Sequence, residues 1–168
     1  MAVILVGGGA RSGKSKYALA LAEVHGHKLG FVATAQVLDE EMRRRVRRHQ
    51  MDRGPLFITI EEPYDIAAVI EDRSPKFDAL VVDCLTLWLS NLMLSGRDVD
   101  AEIERLVAVA ARVPSSVILV TNEVGCGIVP ENELSRRFRD YAGMLNQRVA
   151  GVAHRVYFMA FGCPLRVK

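Results

Sequence analysis

Gly8-Gly9-Ala10-Arg11-Ser12-Gly13-Lys14-Ser15 is the stretch that decides the fold. It satisfies G-x-x-x-x-G-K-[ST] in full. Upstream lies the apolar run Val3-Ile4-Leu5-Val6, and downstream Lys16-Tyr17-Ala18-Leu19-Ala20-Leu21-Ala22-Glu23 has the composition of a helix. Strand, glycine turn and helix in that order make a phosphate site. The glycines let backbone N–H groups turn inward, the helix N-terminus adds positive potential, and Lys14 adds a full charge. Ser15 supplies a hydroxyl suited to Mg2+. The loop establishes a nucleotide without saying what is done with it.

Outward from the loop, apolar runs alternate with helical stretches. Lys28 to Ala33 reads as a short strand left by Thr34-Ala35-Gln36, and Phe57 to Ile60 as another, left by Glu61, Glu62 and Pro63. Between them a helix is expected from Asp39 to about Gln50, because acids open it, arginines close it and Gly54-Pro55 stops it. A further helix over Asp65 to Glu71 is broken by Ser74-Pro75. Ala79-Leu80-Val81-Val82-Asp83 ends an apolar strand in a carboxylate, the form of a Walker B strand. Helices follow over Leu85 to Leu94, ended by Ser95-Gly96, and over Asp100 to Arg112, where Ile103, Leu106, Val107 and Ala110 keep helical spacing. Val117 to Val120 is a buried strand that runs into Thr121-Asn122-Glu123-Val124-Gly125, at the edge where α/β proteins place ligands. Asn132 to Ala150 is a long helix, and Arg155 to Ala160 a last strand. No hairpin dipeptide separates the strands, so a parallel sheet covered on both faces is expected.

Composition narrows the class. The 168 residues are one domain's worth, and 50% hydrophobic content supplies a substantial core. A formal charge of +2 argues against nucleic acid as the default partner. Cys84, Cys126 and Cys163 are odd in number, far apart and without C-x-x-C spacing, which reads as free thiols in a reducing cytosol rather than a disulfide framework or a zinc site. The N-terminal apolar residues suffice for a strand only, and no apolar run approaches the roughly 18 residues that span a bilayer. A cytoplasmic protein with no membrane partner is expected.

Beyond the loop, Asp83 reads either as the carboxylate that holds Mg2+ opposite Ser15 or as a cap for the next helix. Arg43, Arg44, Arg45, Arg47 and Arg48, with Arg53 just beyond, form either a solvated face or an anion-binding surface. Met42, Val46 and His49 fall at i, i+4 and i+7, so the imidazole shares the face expected to point inward. It is either a packing residue or a neutral nucleophile, its pKa depressed by the arginines. Glu61, Glu62 and Glu123 stand at strand exits, where glutamate binds ribose or metal or caps a helix.

Taken together, Gly8 to Ser15, Ala33-Thr34-Ala35, Asp39-Glu40-Glu41-Met42 with Arg48-His49, and Thr121 to Asn132 (Thr-Asn-Glu-Val-Gly-Cys-Gly-Ile-Val-Pro-Glu-Asn) resemble one family. It is the bifunctional adenosylcobinamide kinase/adenosylcobinamide-phosphate guanylyltransferase family of cobalamin synthesis, and the likeness runs from the loop to Asn146-Gln147-Arg148. The resemblance implies a single P-loop NTPase domain over residues 1–168, an α/β fold with a mostly parallel sheet of the RecA-like kind and helices on both faces. It implies two reactions. ATP or GTP phosphorylates the aminopropanol hydroxyl of adenosylcobinamide; GTP then donates GMP to that phosphate through a GMP-histidine, releasing pyrophosphate and giving adenosylcobinamide-GDP. The matching histidine is His49. On the same basis Gly8, Gly9, Ala10, Arg11, Ser12, Gly13, Lys14 and Ser15 bind triphosphate, Lys14 also acting in catalysis. Ala33, Thr34 and Ala35, together with Gln50, Met51, Asp52 and Arg53, line the GTP site. Glu61 and Asp83 contact nucleotide or metal, with Ser15 and Asp83 toward Mg2+. A homotrimer is implied too.

Two other classes share the loop. A regulatory GTPase needs N-K-x-D to read guanine, yet no such sequence surrounds Lys14, Lys16, Lys28, Lys76 or Lys168, and no D-x-x-G follows the Walker B strand. A nucleic-acid-binding ATPase is disfavoured by the near-neutral charge and the lack of interleaved aromatics among the arginines.

Overall fold

A computed structural model of the chain describes residues 2–36, 40, 44 and 53–168. One sheet is built from β1 (Val3–Gly8), β2 (Leu29–Ala33), β3 (Phe57–Glu61), β4 (Ala79–Asp83), β5 (Ser116–Val120), β6 (Arg155–Ala160) and β7 (Cys163–Arg166). Their spatial order is β3-β2-β4-β5-β1-β6-β7. Every neighbouring pair is parallel except β6 and β7. The strand carrying the phosphate loop, β1, and the strand ending in Asp83, β4, are therefore separated by β5.

The helices are α1 (Lys14–Glu23), α2 (Ile66–Arg73) with a 3-10 turn at Ser74–Lys76, α3 (Leu85–Ser95), α4 (Val99–Arg112) and α5 (Glu133–Val152). Successive side chains on a strand point to opposite faces, and both faces of this sheet are apolar. Val3, Leu5, Leu80, Val82, Val117 and Leu119 pack with Ile66, Ile70, Trp88, Leu92, Leu106 and Leu145 from α2 to α5. Ile4, Val6, Phe31, Val81, Ile118 and Val120 pack instead with Ala18 and Ala22 of α1. Burial on both faces explains why these strands read as unbroken apolar runs rather than alternating ones.

The ends of the helices follow local chemistry. Asp98 caps α4 by accepting the Ala101 N–H at 3.1 Å, and Asn132 caps α5 by accepting that of Ser135 at 2.8 Å. Gly96 ends α3 in the left-handed conformation, φ 73°. Gly30 lies inside β2 because a Cβ there would stand 2.6 Å from Leu80 Cδ1 and 2.8 Å from Phe77 Cδ2.

One departure from the expected parallel arrangement is β7. It returns antiparallel beside β6 through Phe161 and Gly162, whose φ values of 53° and 83° make the mirror-image turn that suits the strand twist. As an edge strand it tolerates Pro164. The helix expected from Asp39 to Gln50, with its arginine run, lies outside the described residues apart from Glu40 and Arg44, which are helical and exposed.

Candidate active site at the C-terminal edge of the sheet

Parallel strands bring all their C-terminal ends to one edge, and the register aligns the candidates there. Glu61 pairs with Ala33, Ala33 with Asp83, Asp83 with Val120, and Val120 with Val6, so one row crosses from β3 to the phosphate-loop strand. The loop itself turns from Gly8 (φ 147°) through Arg11 (φ 53°) to Gly13 (φ 92°) before α1 begins at Lys14. A Cβ on Gly8 would lie 2.7 Å from the Met159 carbonyl and 2.9 Å from Ser12 Oγ, which fixes glycine at the point where strand becomes loop.

Lys14 is buried, and its ammonium donates to the Gly9 carbonyl at 2.5 Å. Desolvation lowers its pKa, while the charge of Asp83 opposes that shift. Ser15 Oγ donates to Asp83 Oδ2 at 2.8 Å. This bond places Asp83 opposite the loop hydroxyl. Its carboxylate faces the loop hydroxyl, and the N-cap of α3 is Cys84, which makes no side-chain cap bond.

Behind this pair runs a buried polar lock. Thr34, with no exposed surface, donates its hydroxyl to the Cys84 carbonyl at 2.8 Å and accepts the Cys84 N–H at 2.8 Å. The exit of β2 is thereby tied to the residue after Asp83. Asn91 on α3 donates to the carbonyls of Thr34 and Pro63 at 2.8 and 3.0 Å. Thr86 Oγ1 accepts the Asn122 N–H at 2.8 Å, and Thr121 Oγ1 donates to Asn146 Oδ1 at 2.7 Å. Four strand exits and two helices are fixed to one another through groups buried enough that losing a partner is costly. Sequence reading missed Thr86 and Asn91, and their only signal is a polar side chain within the otherwise leucine-rich α3.

Arg53 is buried with its guanidinium 3.8 Å from the centroid of Phe31 on β2, a cation–π stack. Burial lowers its pKa, and the carboxylates of Asp83 and Glu61 work against that. Arg53 therefore lies beside β2, near the acids that end the flanking strands β3 and β4. Glu61 is exposed at the end of β3. Glu62 is a turn-forming residue: Oε1 accepts the N–H groups of Tyr64 and Asp65, both at 2.8 Å. Glu123 leaves β5 beside the loop, its N–H donating to the Gly8 carbonyl at 3.0 Å. Ala33, Thr34 and Ala35 lie at the β2 exit as expected. His49, Gln50, Met51 and Asp52 lie outside the described residues.

The cysteines are free, Cys84 buried and Cys126 and Cys163 exposed. No group of three or more His, Cys, Asp and Glu side chains suited to a metal occurs among the described residues.

Among solved structures the chain is similar to an ATPase domain, with a TM-score of 0.51 and 13% identity, covering 94% of this chain and 68% of that one. At that identity the likeness concerns the fold, that of a P-loop ATPase, in agreement with the sheet order. Sequence relatives are much nearer. The bifunctional adenosylcobalamin biosynthesis protein CobP of Pseudomonas aeruginosa is 44% identical over 166 residues, covering 98% of this chain and 96% of that protein. Two proteins called bifunctional adenosylcobalamin biosynthesis protein CobU, from Salmonella typhimurium and Escherichia coli, are 40% and 38% identical, each match covering 99% of both chains. The model of the cobinamide kinase/cobinamide phosphate guanyltransferase family matches residues 4–167. With the phosphate loop, the Ser15–Asp83 pair and near-complete matches to these relatives in agreement, the chain belongs to the cobinamide kinase/cobinamide phosphate guanyltransferase family.

Proposed function

We propose that this chain phosphorylates adenosylcobinamide with ATP or GTP and then transfers GMP from GTP, through a GMP-histidine at His49, to give adenosylcobinamide-GDP and pyrophosphate. The observation that carries the reading is the Ser15–Asp83 hydrogen bond of 2.8 Å beside Lys14, which joins the loop and the Walker B strand into one triphosphate site, in a chain of this family.

In the first reaction the residues from Gly8 to Ser15 hold the triphosphate. Inward N–H groups, the N-terminus of α1 and Lys14 offset the charge that develops as the phosphoryl group leaves. Lys14 must exchange its contact with the Gly9 carbonyl for phosphate oxygens. The second reaction uses the same loop for GTP. An imidazole at His49 attacks the α-phosphorus, the bond to pyrophosphate breaks, and the corrinoid phosphate then displaces the histidine. Division into two steps lets one loop serve two anionic partners in turn. Ala33, Thr34, Ala35, Gln50, Met51, Asp52, Arg53 and Glu61 line the nucleotide in this reading. The location of Arg53 over Phe31, facing the edge with Asp83, supports its part in this.

Ser15 and Asp83 would hold Mg2+. Hydroxyl and carboxylate oxygens in mutual contact are the hard donors that ion takes, and the ion would neutralise phosphate charge. We further take residues 1–168 as a single P-loop domain, working as a homotrimer in the cytoplasm. No helix among the described residues is long and apolar enough to cross a membrane.

The experiment is product analysis. Purified protein given adenosylcobinamide and γ-labelled ATP or GTP is expected to label the corrinoid, and added GTP to convert that product to adenosylcobinamide-GDP with release of pyrophosphate. Nucleotide hydrolysis without corrinoid labelling would sink the proposal.

A further inference from the structure

We propose that Glu123 is the general base of the phosphoryl-transfer step, taking the proton of the substrate hydroxyl as that oxygen attacks the γ-phosphorus. The proposal rests on the reading of the chain as a corrinoid kinase.

Four described carboxylates stand at the C-terminal edge of the sheet. Glu62 is occupied by the N–H groups of Tyr64 and Asp65. Asp83 takes the Ser15 hydroxyl. Glu61 ends β3, four strands from β1 in the sheet order, which at a strand spacing of about 4.8 Å is about 19 Å from the loop. Glu123 leaves β5, the strand between β1 and β4. Its N–H donates to the Gly8 carbonyl at 3.0 Å, so its backbone is attached to the start of the phosphate loop.

The Glu123 side chain is half-buried, and only one of its oxygens is engaged. Oε1 accepts the Gly125 N–H at 2.5 Å, leaving Oε2 with no hydrogen-bond partner among the described residues. A Cβ on Gly125 would stand 2.8 Å from Oε1, so glycine two residues on lets the carboxylate fold against its own backbone. In a loop of this kind the backbone cradles the inner phosphates and the lysine reaches the β- and γ-phosphates. Lys14 and Ser15 open α1 at the end of the loop that follows β1, Asp83 ends β4, and Glu123 leaves β5, the strand between β1 and β4. In this proposal a hydroxyl brought to the γ-phosphorus approaches on the side where Glu123 leaves β5.

The step balances. The hydroxyl oxygen forms a bond to the γ-phosphorus, its proton passes to the Glu123 carboxylate, and the bond from that phosphorus to the β,γ-bridging oxygen breaks with its electron pair going to the nucleoside diphosphate. The Glu123 carboxylic acid then returns its proton to solvent.

The test compares phosphoryl transfer from γ-labelled ATP or GTP to adenosylcobinamide in the wild type and in Glu123→Gln and Glu123→Asp, with thermal unfolding and nucleotide binding measured on each. A base predicts the order wild type, Asp, Gln, with the Gln variant slower by about 100-fold or more. A residue that only holds the turn predicts another order. Gln keeps an acceptor for the Gly125 N–H and would match the wild type, whereas the shorter Asp would be the weaker, and that result overturns the proposal. Should the Gln variant not fold, Glu123→Asp decides alone: activity within about tenfold of wild type supports the base, and a folded, nucleotide-binding Asp variant without transfer overturns it. A wild-type chain that binds nucleotide and labels no corrinoid overturns the kinase reading itself.

Discussion

Replacing Thr34 by valine removes a hydroxyl without changing the shape of the side chain, at a position with no exposed surface. Two bonds of 2.8 Å disappear, one accepted from the Cys84 N–H and one donated to the Cys84 carbonyl. The N–H left without a partner costs about 1–3 kcal/mol, and the lost hydroxyl donation adds about 1 kcal/mol. The methyl that replaces the hydroxyl recovers less than either, so Thr34→Val is expected to destabilise the protein by about 2–4 kcal/mol. For a chain of this size each kcal/mol moves the midpoint by about 2–4 °C, which gives a fall of about 4–16 °C. Urea unfolding, followed by a probe of tertiary structure with the m-value checked for constancy, measures the free energy directly. Because the same bonds tie the exit of β2 to the residue after Asp83, nucleotide affinity should weaken as well. A change below about 0.5 kcal/mol would refute the reasoning, since a surface substitution reaches that value.

Lys14→Ala is expected to reduce both the kinase and the guanylyltransferase reactions by at least about 100-fold, because both place a triphosphate on one loop. Rates measured with labelled nucleotide on a protein shown to be folded would check it, and a variant keeping either reaction would contradict a shared site. Gly30→Ala forces a methyl to within 2.6 Å of Leu80 Cδ1 and 2.8 Å of Phe77 Cδ2 and should destabilise by about 1–3 kcal/mol. Chemical denaturation reads this, and an unchanged midpoint would mean that those side chains move aside freely.

Short-range signals carried much of the fold. The phosphate loop follows a strand and opens a helix where its glycines and apolar flanks said it would, and Asp83 ends β4 as its four preceding apolar residues implied. The helices expected over Asp100 to Arg112 and Asn132 to Ala150 fall within two residues of α4 and α5, whose starts are fixed locally by the caps Asp98 and Asn132. What stayed hidden is non-local or locally atypical. The β6–β7 turn holds Phe161 at φ 53°, a conformation that a bulky side chain rarely adopts and no dipeptide rule suggests. The bonds between Thr34 and Cys84 join residues 50 apart in sequence, and nothing in either segment announces the partner. The stack of Arg53 on Phe31 was likewise invisible, since the arginine reads as one more member of a charged run. Resemblance assigned Arg53 to the nucleotide, whereas geometry gives the reason an arginine can be buried there.

The most direct measurement of the central claim follows the α-phosphate of GTP. The chain, incubated with α-labelled GTP and denatured, is predicted to carry acid-labile GMP on a histidine, released to the corrinoid when adenosylcobinamide phosphate is added. His49→Ala should fold, bind nucleotide, keep substantial phosphoryl transfer to adenosylcobinamide and carry no label. A wild-type chain without the adduct, or a His49→Ala chain that still forms it, would contradict the account.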